Sequence, residues 1–185
     1  MEELFRNKYR IKSTRLNGWD YSSDGAYFIT ICTKNRKCIF GNVVHGEIKL
    51  SAIGKIVANE WIKTEQIRTY IQLDEWIVMP NHFHAILFIN NLNVETCRGM
   101  SLQKYNQFSK PISQSLSMII NHFKSAVIRS CKKNGFVNFQ WQSRFHDHII
   151  RNEKELNNIR TYITNNSLQW EFDENNLKKN KREQI

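Results

Sequence analysis

The sequence predicts an α+β fold, an antiparallel or mixed sheet with helices packed on it, and three observations predict it. Segments rich in β-branched and aromatic residues interleave with segments whose apolar residues recur every three or four positions. Two strand-like segments, 70–78 and 82–89, are separated only by Met79-Pro80-Asn81. That link is too short for a crossover, so the pair is an antiparallel hairpin. No repeat and no linker divides the 185 residues, a length that suits one domain with its own core.

The elements follow in order. Residues 1–20 carry Arg6, Lys8, Arg10, Lys12 and Arg15 with little apolar periodicity and read as a basic arm. The run Tyr27-Phe28-Ile29-Thr30-Ile31-Cys32-Thr33, after the turn signal Ser23-Asp24-Gly25, predicts a central strand. A hairpin-like segment follows over 41–50. Ser51 then caps a helix over 52–66, whose stripe includes Ile53, Ile56, Val57 and Trp61. After the hairpin, 90–110 is polar and reads as a loop. Pro111 suits the first turn of a helix ending near 133, with Leu116, Ile119, Ile120, Phe123 and Val127 on its core side. A further strand lies within 139–150. Asn152 caps a last helix containing Leu156, Ile159, Tyr162 and Ile163. The domain is expected over 21–173, with a basic, frayed tail over 174–185.

Apolar residues make up 41 % of the chain and aromatics 12 %, enough for a core without disulfides or structural metal. No stretch approaches the roughly 18 apolar residues of a membrane span. The N-terminus lacks the apolar core of a signal peptide. The four cysteines (Cys32, Cys38, Cys97, Cys131) form no Cys-x-x-Cys pair, which disfavours a zinc ribbon and fits a reduced, cytoplasmic protein. Lys and Arg number 27 against 17 Asp and Glu, a formal net charge of +10. That excess points to a polyanionic partner, chiefly nucleic acid.

Two constellations carry candidate chemistry. His82 and His84 lie two apart on a strand, so both imidazoles project from one face while Phe83 and Ala85 take the other. Such a pair is either two structural histidines or two ligands of a divalent ion that needs a third donor. Tyr162 and Asn166 lie four apart on the last helix and share a face at the flank of its apolar stripe. Tyr162 is either an amphipathic residue at the core margin or a nucleophile, whose phenol (pKa about 10) needs a neighbouring charge to react at neutral pH. An Asn166 oxygen one turn on offers the third donor. His146 and His148 flank Asp147 on a strand; their alternation mimics a second metal pair, and their role stays open.

The order of five blocks resembles the REP-associated tyrosine transposases over about residues 15–173. They are the opening Tyr21-Ser22-Ser23-Asp24-Gly25-Ala26-Tyr27-Phe28-Ile29-Thr30, the strand Trp76-Ile77-Val78-Met79-Pro80-Asn81-His82-Phe83-His84, and the helix piece Phe123-Lys124-Ser125-Ala126-Val127. Trp141-Gln142-Ser143-Arg144-Phe145-His146-Asp147-His148 and Tyr162-Ile163-Thr164-Asn165-Asn166 complete the set. The resemblance implies a ferredoxin-like domain of the single-tyrosine HUH superfamily. It implies Tyr162 as nucleophile, His82, His84 and Asn166 as ligands of Mg²⁺ or Mn²⁺, and single-stranded palindromic hairpins as substrate. It further implies a monomer in a bacterial cytoplasm. Arg10, Lys12, Arg15, Lys124 and Arg129 are the candidate phosphate contacts. Ser167 stands where the family often has proline, a change that removes no chemical group. Two competing functions remain: a hairpin-binding protein that does not cut, and a metal hydrolase using His82 and His84 with a ligand such as His148.

Overall fold

The computed structural model describes residues 15–90, 114–173 and 175–176. Arg10, Lys12, Cys97, Pro111 and the expected loop and basic tail (Lys178 onward) lie outside them.

Four strands form one sheet in the order β4-β5-β1-β6: β1 (Gly25–Cys32), β4 (Ile71–Val78), β5 (His82–Ile89) and β6 (His146–Ile150). Every pairing is antiparallel. β1 and β4 thus run in the same direction with β5 between them, the split βαβ of a ferredoxin-like fold. A short hairpin, β2 (Gly41–Val44) with β3 (Glu47–Leu50), is inserted before α1 (Ala52–Gln66). Gly41 and Gly54 exist for close approach here: a Cβ at Gly54 would lie 2.1 Å from the Phe40 carbonyl oxygen.

Local chemistry sets the helix starts. Ser51 Oγ accepts from Gly54 N at 3.1 Å to cap α1, and Asn152 Oδ1 accepts from Glu155 N at 2.9 Å to cap α3 (Glu153–Asn165). Helix α2 (Leu116–Lys133) begins at Leu116, later than the sequence suggests. Gln114 sits in the left-handed region (φ 63°) and Ser115 is extended, so no helix runs through them; Ser115 is the cap.

The alternation of β1 and β5 divides the core. Tyr27, Ile29, Ile31, Phe83, Ala85 and Leu87 face α1 and α2, where Trp61 packs edge-on against Phe83 and Phe123, each with ring centroids 5.0 Å apart. The other face carries Ile86 and Ile150, covered by Leu156 and Ile163 of α3. Phe28, Thr30, His82 and His84 belong to this second face. α3 leaves part of it open, and the site lies there. Among the described residues no helix is long and apolar enough to cross a membrane.

Candidate metal and nucleophile site

β5 begins at His82 because the Met79–Asn81 turn closes there, with Met79 N donating to His82 O at 2.9 Å. Both imidazoles are buried, and their ring centroids are 4.4 Å apart. Each is oriented by a neighbour. His82 Nδ1 lies 2.9 Å from Asn81 Oδ1. The Asn81 amide cannot be turned round, because its Nδ2 donates to the carbonyls of Arg36 (3.1 Å) and Asn175 (2.6 Å). Asn81 Oδ1 therefore accepts, His82 carries its proton on Nδ1, and Nε2 keeps a bare lone pair. The antiparallel register sets Thr30 opposite His84, and Thr30 Oγ1 lies 2.9 Å from His84 Nδ1. These are the outer contacts a ligating histidine needs.

Burial pushes both imidazoles down to about 3, with the nearby Arg36 charge adding to the effect on His82 and His82 itself adding to that on His84. They are neutral, and so able to ligate, at any physiological pH.

α3 brings Tyr162 to the pair. Its phenol oxygen lies 3.3 Å from His84 Nε2, its ring is edge-on to Phe28, and it is 43 % exposed toward the open part of the face. Asn166, the C-cap of α3, is buried. The short turn Trp170–Phe172 then returns the chain so that Asp173 Oδ2 comes to 3.8 Å from His82 Nε2. One donor atom from each of His82, His84 and Asp173 lies within 4.8 Å of the others. Asp173 is a candidate ligand absent from the sequence-based set.

The donor chemistry fits a divalent cation. His82 Nε2 and Asn166 Oδ1 are buried acceptors with no hydrogen-bond partner, an arrangement that costs about 1–3 kcal/mol each unless something electropositive sits there. Two imidazoles, a carboxylate and an amide oxygen make a donor set for a divalent cation when water completes the shell.

The other candidates are dispersed. Arg15 is packed between the Tyr21 and Phe145 rings, faces Asp147 at 3.7 Å and hydrogen-bonds Ser117. Lys124 donates to the carbonyls of Gln142 (2.6 Å) and Arg144 (3.5 Å). Arg129 is exposed on α2, beyond the sheet face opposite α3. His148 pairs with Glu155 at 2.7 Å, whereas His146 lines the groove that leads from Tyr162.

A Haemophilus influenzae protein described only as uncharacterized is 34 % identical over 168 residues, which cover 88 % of this chain and 91 % of that one. The chain belongs to the family of that protein. No protein-family model matches it. Among solved structures, a REP-associated tyrosine transposase bound to a REP hairpin superposes with a TM-score of 0.54 at 22 % identity, covering 88 % of this chain and 73 % of that one. This chain thus shares the fold of that transposase, with the His82–His84 pair on the sheet face that α3 partly covers and Tyr162 on α3 itself.

Proposed function

We propose that the protein cleaves and rejoins single-stranded DNA beside palindromic hairpins, through a covalent link to Tyr162. The observation that carries this reading is the 3.3 Å contact between the Tyr162 phenol and Nε2 of a buried, neutral histidine of a candidate metal pair. Phenols and metal ligands at a core margin are ordinary; a half-exposed phenol touching such a ligand beside an open groove is a nucleophile next to an electrophile's seat. The shared fold with a transposase that binds a REP hairpin supports the same choice of substrate.

His82, His84 and Asp173 would hold the Mg²⁺ or Mn²⁺, with Asn166 as a further oxygen donor. Such an ion supplies charge that polarises the scissile phosphate and stabilises the negative charge developing on it. Tyr162 Oη attacks phosphorus and the P–O3′ bond breaks. The products are a 5′-phosphotyrosyl link and a free 3′-hydroxyl. The phenol proton passes to solvent, which reaches the half-exposed Tyr162, and water protonates the leaving oxygen. Attack on the link by another 3′-hydroxyl reverses these steps and rejoins the strand without ATP.

The decisive experiment incubates the protein with a library of single-stranded hairpins and Mn²⁺, then sequences DNA that resists denaturation from the protein. Adducts are expected with Mn²⁺, not with EDTA, and not with Tyr162→Phe, which keeps its DNA binding. Binding without adduct under every condition identifies a non-cutting hairpin binder instead. Turnover of small esters that ignores Tyr162 identifies a hydrolase.

A further inference from the structure

Among the described residues three aromatic side chains are exposed: Trp19, Tyr162 and Phe172. Trp19 donates from Nε1 to the Tyr27 hydroxyl at 3.2 Å. The other two line one depression of ≈ 320 Å³, with Asn166, Gln169, Asp173 and Asn175 also in its walls. Phe172 is 73 % exposed, more than any other large apolar residue described. A single exposed phenylalanine is ordinary on a protein surface. One that lines the same hollow as the proposed nucleophile is placed to meet the substrate.

The Phe172 ring is carried on a turn that is tied down on both sides. Trp170 packs its ring 6.0 Å from the His82 ring, and Asp173 Oδ2 reaches to 3.8 Å from His82 Nε2. Phe172 N donates to Gln169 O at 2.8 Å, and Asn176 Nδ2 donates to Trp170 O at 2.9 Å. Just beyond, Asn81 Nδ2 holds the Asn175 carbonyl at 2.6 Å. The residues two before and one after Phe172 thus both rest on the candidate metal ligand His82. The exposed ring between them has a fixed place relative to that ligand. Gln169 opens the same turn and lines the same hollow.

We infer that a nucleotide flanking the scissile phosphate is held here by its base, which stacks on Phe172 while Gln169 hydrogen-bonds its edge. Unpaired bases stack on aromatic rings, and every base has a face to offer. An amide presents a donor and an acceptor side by side, so it distinguishes one base edge from another. Phe172 therefore supplies grip and Gln169 supplies choice. The inference rests on the proposed role of Tyr162. It gives the turn after α3 a second task besides supplying Asp173: it places a base, and with it the adjoining phosphate, at a set distance from the metal pair.

The test uses the full chain, the tightest-binding hairpin of the library with its single-stranded arms, and EDTA, so that binding is read without cutting. Each arm nucleotide in turn is made abasic, and every DNA is titrated against the parent and Phe172→Ala. On the intact DNA, Phe172→Ala is expected to weaken binding roughly 5- to 150-fold, the worth of one stacked base. The salt dependence of log K should not change, because no phosphate contact is lost. At one arm position the abasic DNA is expected to bind both proteins alike, since each change removes the same stack. Phe172→Trp should restore the loss, and Gln169→Ala should narrow the affinity differences among the four bases at that position. Penalties that add at every position, or a flattened salt slope, overturn the inference. A second reading needs no variant: 5-iododeoxyuridine is moved along the arms of DNA bound to the parent and irradiated. Cross-links to residue 172 from one position are expected, and cross-links to residues 169–172 from none also overturn it. A Tyr162 adduct with Mn²⁺ beside additive penalties removes the base site and leaves the proposed reaction standing. Coupling at one position without any adduct refutes the reaction and leaves the base site. Failure to bind any hairpin of the library overturns both.

Discussion

Asn81 Oδ1 sits 2.9 Å from His82 Nδ1, and the two Nδ2 hydrogens of the same amide are taken by the carbonyls of Arg36 and Asn175. One buried side chain thus sets the tautomer of a candidate ligand, braces the strained Lys34–Arg36 turn and tethers the segment next to Asp173. Asn81→Ala leaves two part-buried carbonyls and the buried His82 ring nitrogen without their partner. It is expected to cost about 2–5 kcal/mol of stability and to weaken Mn²⁺ binding about 10- to 100-fold. Denaturant melts with and without Mn²⁺ read both effects. A stable variant with parental metal affinity removes Asn81 from this role.

His82 and His84 couple stability to pH. Both are pushed from 6.5 to about 3, chiefly by burial. As the pH falls below 6.5 the unfolded chain binds protons at both rings, while the folded metal-free chain excludes them until about 3. The contribution of the neutral rings is therefore complete above 6.5 and is lost progressively between 6.5 and 3. The thermal midpoint of the metal-free protein is expected to fall steadily from pH 7 to pH 4. The double variant His82→Gln with His84→Gln is expected to show a shallower fall. Equal slopes in the two proteins place the acid sensitivity elsewhere.

What was legible in the sequence follows the regular elements. The period of two in Val78-Met79-Pro80-Asn81-His82-Phe83-His84 puts both imidazoles on one face, and the capping residues Ser51 and Asn152 mark the starts of α1 and α3. Features set by irregular backbone were not legible. Asp173 follows a three-residue 3-10 turn that has no periodicity. Arg36 lines the groove through a left-handed turn that its residue types do not advertise. Asp74 lies within a β4 irregularity between Leu73 and Trp76, where three steps on β4 match two on β5. Nor does a cationic side chain announce its partner, as Lys124 on two carbonyls shows.

Asp173 and Asn166 can be separated by what each costs the metal-free protein. Asn166 Oδ1 is buried without a partner, so Asn166→Leu removes an unsatisfied acceptor and is expected to raise metal-free stability by about 1 kcal/mol while weakening Mn²⁺ binding. Asp173→Asn keeps shape but removes the carboxylate charge. It is expected to weaken Mn²⁺ binding by more than the roughly 10- to 100-fold typical of an outer contact. Titration calorimetry with Mn²⁺ measures both. If only Asn166→Leu weakens binding, Asp173 is a neighbour of the site and not a ligand.

Two residues before Tyr162, the proposed nucleophile, Arg160 fixes α3 to the sheet. Its Nε and Nη2 meet the two Asp74 oxygens at 3.0 and 2.6 Å, and this fork holds the Asp74 carboxyl below the usual carboxylate range. Leu156 and Ile163 bury the helix but leave its rotation and slide to such polar contacts. Arg160→Gln is expected to leave DNA affinity nearly unchanged and to lower the melting point only slightly, because the pair is part-buried and partly screened by solvent. Tyr162 loses its alignment, however, and the single-turnover rate of adduct formation should drop by as much as roughly 100-fold, the effect of about 1 Å of displacement. Arg160→Lys keeps the charge without the fork and should fall between the two. Asp74→Asn should follow Arg160→Gln, with the two changes far from additive when combined. A parental adduct rate in Arg160→Gln at saturating DNA means that the apolar face of α3 alone positions Tyr162.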